Sequence, residues 1–241
     1  MRIFAKTDKG KVRSINQDAF AANILSGGVA LAVVCDGMGG ASAGDIASKT
    51  AVDIISQYVL NAYNPSMTSD DIIRLLDNAI ASANLEVFTL SQKDEALSGM
   101  GTTVVAAIVR ETQAVICNAG DSRAYLINDN LCQITRDHSI VQTLVESGKL
   151  SPEEARVHPE KNVITRALGV EENILTDSYV IDINENDMLL LCTDGLSNYA
   201  DSESILRIVK DNALDKTTDL LINKANAGGG RDNITAAVIS H

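Results

Sequence analysis

At 241 residues, 45% of them hydrophobic and 22% charged, the chain can bury roughly 70–75% of its unfolded surface around a core of its own. That composition excludes disorder, collagen and coiled coil as its main state. A formal net charge of −12 repels a nucleic-acid backbone or an anionic membrane surface and attracts cations.

The longest all-apolar run, Val29 to Cys35, is too short to cross a bilayer, and the start MRIFAKTDKGK has no apolar signal core. The expectation is therefore a cytoplasmic chain with neither membrane nor nucleic acid as partner. Cys35, Cys117, Cys132 and Cys192 form no CxxC pair. They read as small apolar residues in a reducing compartment. Cys35 and Cys192 each lie beside an Asp-Gly pair, whose carboxylate raises a thiol pKa and disfavours a catalytic thiolate.

In chain order, strands are predicted at Ile3–Thr7, Phe20–Ile24 and Val29–Cys35. A helix follows from Ala43 to about Ala62, its apolar residues recurring at three-to-four spacing, until Asn64-Pro65 breaks it. Thr68 or Ser69 caps a second helix from Asp70 to about Gln92. Strands return at Thr102–Val109, Ala114–Cys117, Ala124–Ile127 and Cys132–Thr135. Ser139 to Ser147 reads as a short helix, and Ser151-Pro152-Glu153-Glu154 starts another, with N-cap serine, first-turn proline and capping-box glutamate. Strands at Ser178–Ile183 and Met188–Thr193, helices at Asp201–Asp211 and Lys216–Ala225, a Gly228-Gly229-Gly230 loop and a strand at Ile234–Ile239 complete the order. Strands run in groups and helices in pairs. This is α+β order, fitting antiparallel sheets covered by paired antiparallel helices rather than a βαβ fold. A single domain over residues 1–241 is expected. The polar segment Ser139–Leu168, with two of the three prolines, is its one excursion.

Aspartates mark the ends of the apolar strands. Asp36 follows VALAVVC, Asp121 follows AVICNAG and Asp194 follows MLLLCT, while Asp18 and Asp232 precede strands. In antiparallel neighbours the exit of one strand lies beside the entrance of the next, so these residues can collect at one rim of one sheet. Taken singly, an Asp-Gly pair reads as a turn. Repeated at strand ends, such pairs read as a metal rim, because clustered carboxylates repel one another unless cations sit between them. Oxygen donors suit magnesium or manganese rather than zinc. The expected chemistry is a two-metal hydrolytic site.

RSINQD (Arg13–Asp18), VCDGMGG (Val34–Gly40), GTT (Gly101–Thr103), GDSR (Gly120–Arg123), DHS (Asp137–Ser139), ITRALG (Ile164–Gly169), TDGLS (Thr193–Ser197) and GGRDNIT (Gly229–Thr235) occur in that order. From about Lys6 to Ile239 this set resembles the protein phosphatase 2C family, the metal-dependent serine/threonine phosphatases, in its compact bacterial form. The resemblance implies an αββα sandwich with a binuclear Mn²⁺ or Mg²⁺ centre at one end and a third ion beside it. By motif position, Asp36 would bridge both metals and the Gly37 carbonyl would bind the second. Asp194 and Asp232 would complete the first, and Asp18 would lie near the second, directly or through water. Asp121 with Asp194 would serve the third ion, and Arg13 would hold the substrate phosphate. Ser139–Leu168 would fall in the family's variable flap.

The activity implied is hydrolysis of phosphoserine and phosphothreonine by attack of a metal-bridging hydroxide. Implied partners are phosphorylated proteins and a cognate serine/threonine kinase, with the chain itself a monomer. Two positions depart from some relatives. Met38 replaces a histidine read there as a general acid, in what reads as a solvent-facing Gly-rich turn, and Gln17 replaces a carboxylate. Thr102 and Thr103 are expected to turn hydroxyls towards the carboxylates. His138, His158 and His241 belong to other segments.

Overall fold

In the computed structural model, which describes residues 1–40 and 43–241, the apolar runs assemble into two antiparallel sheets. The first holds β1 (Arg2–Asp8), β7 (Arg123–Ile127), β8 (Leu131–Gln133), β10 (Met188–Cys192) and β11 (Ile234–Ser240), in the order β1-β11-β10-β7-β8. The second holds β2 (Asp18–Ile24), β3 (Ala30–Met38), β5 (Val104–Val109), β6 (Gln113–Ala119) and β9 (Asp177–Asp182), in the order β2-β3-β5-β6-β9. The short β4 (Gly101–Thr102) pairs with the end of β3.

The strands read as solid apolar runs because both of their faces are covered. Successive side chains point to opposite faces of a strand. Leu31, Val33 and Cys35 of β3 pack against α1 (Ala43–Ala62) and α2 (Ser69–Lys93), through Ile55, Leu76 and Ile80. Ala30, Ala32 and Val34 face the other way, meeting Leu189, Leu191 and Ile239 of the first sheet. Leu190 and Val238 turn outward again, onto α6 (Ser202–Asp211) and α7 (Leu214–Ala227), through Ile205, Val209 and Leu221. Helix, sheet, sheet and helix thus enclose three apolar layers. This is the expected α+β class and the αββα sandwich.

Local signals set the helix starts. Thr68 accepts from the Asp71 amide while the Asp71 carboxylate accepts from that of Thr68, a reciprocal cap on α2. Ser151 and Glu154 do the same for α4 (Pro152–Val157). α4 and α3 (Ile140–Glu146) make up the excursion, closed at its base by the bridge Ser139↔Ile164 and tied to β4 by Thr102↔Leu168. Among the described residues no helix is long and apolar enough to cross a membrane.

Several expectations need correction. The strand expected over Thr102–Val109 breaks at Thr103, whose amide turns aside to donate to the Asp36 carbonyl at 2.9 Å. A short helix, α5 (Asp194–Ser197), starts at an aspartate read as a strand end, and α7 begins at Leu214 rather than Lys216. Met38 is the last residue of β3, paired with Gly101, rather than part of a solvent-facing turn. The aspartates do not share one sheet. Asp18 and Asp36 lie in the second sheet, Asp121 lies in the turn from β6 of the second to β7 of the first, and Asp194 and Asp232 flank β10 and β11 of the first. Face-to-face packing brings like ends of the two sheets together, and strand order along a sequence does not reveal sheet membership.

Candidate metal centre

At that shared end lies a cleft of about 250 Å³ lined by Arg13, Asp36, Gly37, Asp121, Asp194 and Asp232, to which Asn162 and Ile164 of the excursion also contribute. A larger cavity of about 430 Å³, between Arg2, Met188, Lys210 and Leu214, opens at the opposite end of the first sheet, away from the carboxylates.

Each carboxylate is held by its own element. Asp36 sits within β3, directly opposite Asp18 of β2 in the register. Its backbone is fixed by the GTT turn: the Asp36 amide donates to Thr103 Oγ1 at 2.9 Å, and Thr102 Oγ1 donates to the Asp36 carbonyl at 2.9 Å. These hydroxyls therefore hold the Asp36 backbone and not, as expected, carboxylates. Gly37 allows the backbone to pass close by, since a Cβ there would stand 2.0 Å from the Gly44 carbonyl oxygen. Asp194 opens α5, its Oδ2 accepting from Asn198 Nδ2 at 2.9 Å. Asp232 Oδ2 accepts from Arg13 Nη2 at 2.8 Å, and Asp232 Oδ1 from the Asn233 amide at 2.9 Å.

Asp18 lies behind Asp36 rather than on the cleft wall, and is 4% exposed. Its Oδ2 accepts from Thr193 Oγ1 at 2.9 Å and Thr235 Oγ1 at 2.7 Å. Its Oδ1 is buried without a hydrogen-bond partner among the described residues.

Electrostatics set this cluster apart from an ordinary polar surface. Burial, reinforced by Asp194 and Asp232, pushes Asp18 up to about 7. Burial and the Asp194 charge push Asp121 up to about 8, while burial and Asp232 push Asp194 up to about 6. Asp36 is raised well above the ordinary carboxylate range by burial, then by Asp18, Asp194 and Asp121. Desolvation and like charge both oppose ionisation here, and a divalent cation relieves both.

The residues present fit such a cation. Asp18 keeps a buried, unpartnered oxygen under the charges of Asp194 and Asp232, and among the described residues no cysteine or histidine lines the cleft. This all-oxygen donor set suits Mg²⁺ or Mn²⁺. Among the described residues no three His, Cys, Asp or Glu side chains close into a compact cage. The carboxylates instead line an open cleft, the form suited to Mg²⁺-like ions that keep several waters and meet substrate phosphate.

Arg13 stands on the β1–β2 connection, with its side chain 49% exposed. Asn233 pins that connection: its Nδ2 donates to the carbonyls of Lys9 and Ile15 at 2.9 and 3.0 Å, and its Oδ1 accepts from the Gln17 amide at 2.8 Å. Sequence reasoning missed Asn233, Thr193 and Thr235 as supports. Their signal lies within the same motifs, beside Asp232 and Asp194. The cysteines stand apart from the cleft. Cys35, Cys117 and Cys192 are buried, and burial pushes the Cys192 thiol up to about 12.

The model of the family described as "Protein phosphatase 2C" matches residues 9–225. "Serine/threonine phosphatase stp" of Listeria monocytogenes serotype 4b (strain F2365) is 40% identical over 236 residues, covering 97% of this chain and 93% of that protein. The fold is similar to the crystal structure of serine/threonine phosphatase Stp1 from Staphylococcus aureus, with a TM-score of 0.93, 36% identity, and 99% and 94% of the two chains covered. It is also similar to the catalytic domain of serine threonine protein phosphatase PstP in complex with two manganese ions, with a TM-score of 0.85, 33% identity, and 98% and 96% covered.

Proposed function

The chain belongs to the protein phosphatase 2C family and is a protein-serine/threonine phosphatase; from that premise we propose how its own residues carry out the hydrolysis. The reading rests on one observation, the convergence of Asp36, Asp121, Asp194, Asp232 and Arg13 on a single cleft. Asp36, the Gly37 carbonyl, Asp194 and Asp232 would hold a pair of Mn²⁺ or Mg²⁺ ions, with Asp18 supporting one of them. Asp121 with Asp194 would hold a third, weaker ion. When bound, divalent cations would supply an acidified water as nucleophile and offset charge on the phosphoryl oxygens.

Arg13 orients the phosphate. Its exposed guanidinium can move from Asp232 to two phosphoryl oxygens, a fork that suits the charge of the transition state. Displacement in one step, with no covalent phosphoenzyme, fits a cleft whose carboxylates would be engaged as cation ligands rather than left free as nucleophiles. Among the described residues it offers no serine, cysteine or histidine. Its one hydroxyl, Thr103 Oγ1, is engaged by the Asp36 amide and by Ser122 Oγ at 2.7 Å. The four free thiols support a reducing, cytoplasmic setting. Phosphoproteins made by a serine/threonine kinase are the substrates, and the chain acts as a monomer. Purified chain with Mn²⁺ should release inorganic phosphate from phosphoserine and phosphothreonine peptides; no release from either would overturn the proposal.

The segment 139–168 acts as a flap. A further cavity, of about 330 Å³, shares Asp121 and Asp194 with the cleft and runs along α3 and α4 to Arg156 and Lys161. Replacing Arg156 and Lys161, which line this cavity and not the cleft, by alanine should change relative rates on different phosphopeptides more than turnover of p-nitrophenyl phosphate. Equal effects on both would make the segment a support of the cleft.

Among the described residues no histidine lines the cleft. His138 is enclosed, and His158 Nδ1 is used by the Glu160 amide at 3.1 Å. The proton for the serine or threonine alkoxide therefore comes from elsewhere. General acid catalysis is worth about 10²–10⁴-fold. His138→Ala, His158→Ala and His241→Ala should each lower kcat on a phosphothreonine peptide by less than about tenfold, below that range. Loss of peptide hydrolysis with p-nitrophenyl phosphate turnover spared would identify the altered histidine as the acid.

A further inference from the structure

The DHS and ITRALG segments contribute no carboxylate to the cleft, yet they meet in one polar arrangement beneath it. His138 is 1% exposed. Its amide donates to the Gly120 carbonyl at 2.9 Å, and the Gly120 amide donates back to His138 Nδ1 at 3.1 Å. One residue thereby satisfies both backbone groups of the glycine that precedes Asp121. We propose that His138 is a positioning residue, which fixes the Gly120–Asp121 turn and through it aims the Asp121 carboxylate into the cleft.

The Gly120 backbone amide, which can only donate, assigns the ring's tautomer. Nδ1 accepts from Gly120, so it carries the lone pair, and the ring proton sits on Nε2. Nε2 faces Asp177 Oδ2 at 3.1 Å. Arg166 Nη1 donates to Asp177 Oδ1 at 2.7 Å and lies 3.0 Å from Nε2. Arg166 thus holds the carboxylate that orients the imidazole, and the imidazole holds Gly120. Burial keeps the ring below its ordinary pKa, so it is neutral and its acceptor is available.

The turn needs such a hold. Gly120 has φ +112°, and a Cβ there would come within 2.6 Å of Thr103 Cγ2. Only glycine fits, and glycine alone gives a turn much backbone freedom. With both of its polar groups tied to His138, the turn is held where it delivers Asp121 to the wall shared by the two cavities that Asp121 lines. With Nδ1 used by Gly120 and Nε2 turned to Asp177, His138 acts through the turn and not on substrate.

The inference rests on the reading of Asp121 as part of the weakest cation site. Its test is Mn²⁺ binding to the purified, chelator-stripped chain, followed by calorimetry and by the electron paramagnetic resonance of free Mn²⁺. Asp121→Asn should remove the weakest binding event. His138→Ala should weaken that same event about 10–100-fold, the usual loss when a group supporting a ligand is removed, and leave the tighter events unchanged. His138→Asn, whose side-chain oxygen can accept from the Gly120 amide, should recover most of the loss. If Asp121→Asn removes the event and His138→Ala does not weaken it, the inference is overturned. If Asp121→Asn binds Mn²⁺ as the wild type does, the reading of Asp121 fails, and the inference with it. Should His138→Ala not fold, ¹⁵N spectroscopy of the wild-type ring decides: a proton on Nε2 supports the inference, and a proton on Nδ1 overturns it.

Discussion

Asp36→Asn should abolish phosphopeptide hydrolysis and leave the sandwich standing, and Asp232→Asn should do the same. A pair of metal ions in a phosphoryl-transfer site supplies several kcal/mol of transition-state stabilisation. Loss of a ligand shared by both is expected to cost kcat on the order of a thousandfold or more, about 4 kcal/mol. The fold should survive, because what holds Asp36 in place is its backbone: the pairing of β3 with β2 and β5, the Thr103 hydroxyl and the Thr102 hydroxyl. None of these uses the carboxylate. The amide also removes one member of a group of carboxylates whose burial and mutual repulsion already oppose ionisation. Metal-free Asp36→Asn should therefore melt no lower than the metal-free wild type. The checks are kcat on a phosphothreonine peptide and thermal melts in chelator. A variant that loses both activity and its cooperative melt would make Asp36 a structural residue.

Arg13→Ala should lower kcat/KM by about 2–4 kcal/mol, the scale of one preorganised donor to a developing charge. The structure specifies how this loss differs from a loss of metal. Arg13 meets Asp232 Oδ2 at 2.8 Å with its side chain 49% exposed, and an ion pair so exposed contributes little to stability. Cutting it should leave Mn²⁺ affinity by calorimetry nearly unchanged. Arg13→Lys keeps the charge without the planar fork, so it should fall between wild type and alanine. A large drop in Mn²⁺ affinity in Arg13→Ala would make Arg13 a partner of the carboxylates rather than the phosphate clamp.

How much of this was legible in the sequence differs from residue to residue. The strand-end aspartates and their glycines stand out because apolar runs such as VALAVVC and MLLLC end on them. The αββα layering was harder to read. Strands covered on both faces lose the two-residue alternation that would assign a face, so β3 reads as one solid run while Leu31 and Val34 belong to different layers. The placing of Asp194 and Asp232 in a different sheet from Asp36 is a long-range fact, fixed by strand pairing across the whole chain. Thr193, Thr235 and Asn233 are not singled out by the sequence, and His138 reads only as a histidine of another segment, for a related reason. Each acts through a hydrogen bond to a residue far away in sequence, as Thr193 does on Asp18 and His138 on Gly120, and a short polar side chain beside a strand carries no periodic signal. Thr102 and Thr103 were noticed but given the wrong target, since spacing cannot distinguish a hydroxyl that meets a carboxylate from one that meets the same residue's backbone.

The central claim is that a cleft built from Asp36, Asp121, Asp194 and Asp232 works through divalent cations. The most direct measurement is phosphate release from a phosphothreonine peptide by the wild-type chain after treatment with a chelator, followed by stepwise return of Mn²⁺. The expected result is background activity in chelator and recovery of the full rate as Mn²⁺ is restored. Undiminished hydrolysis by the stripped chain would contradict the claim.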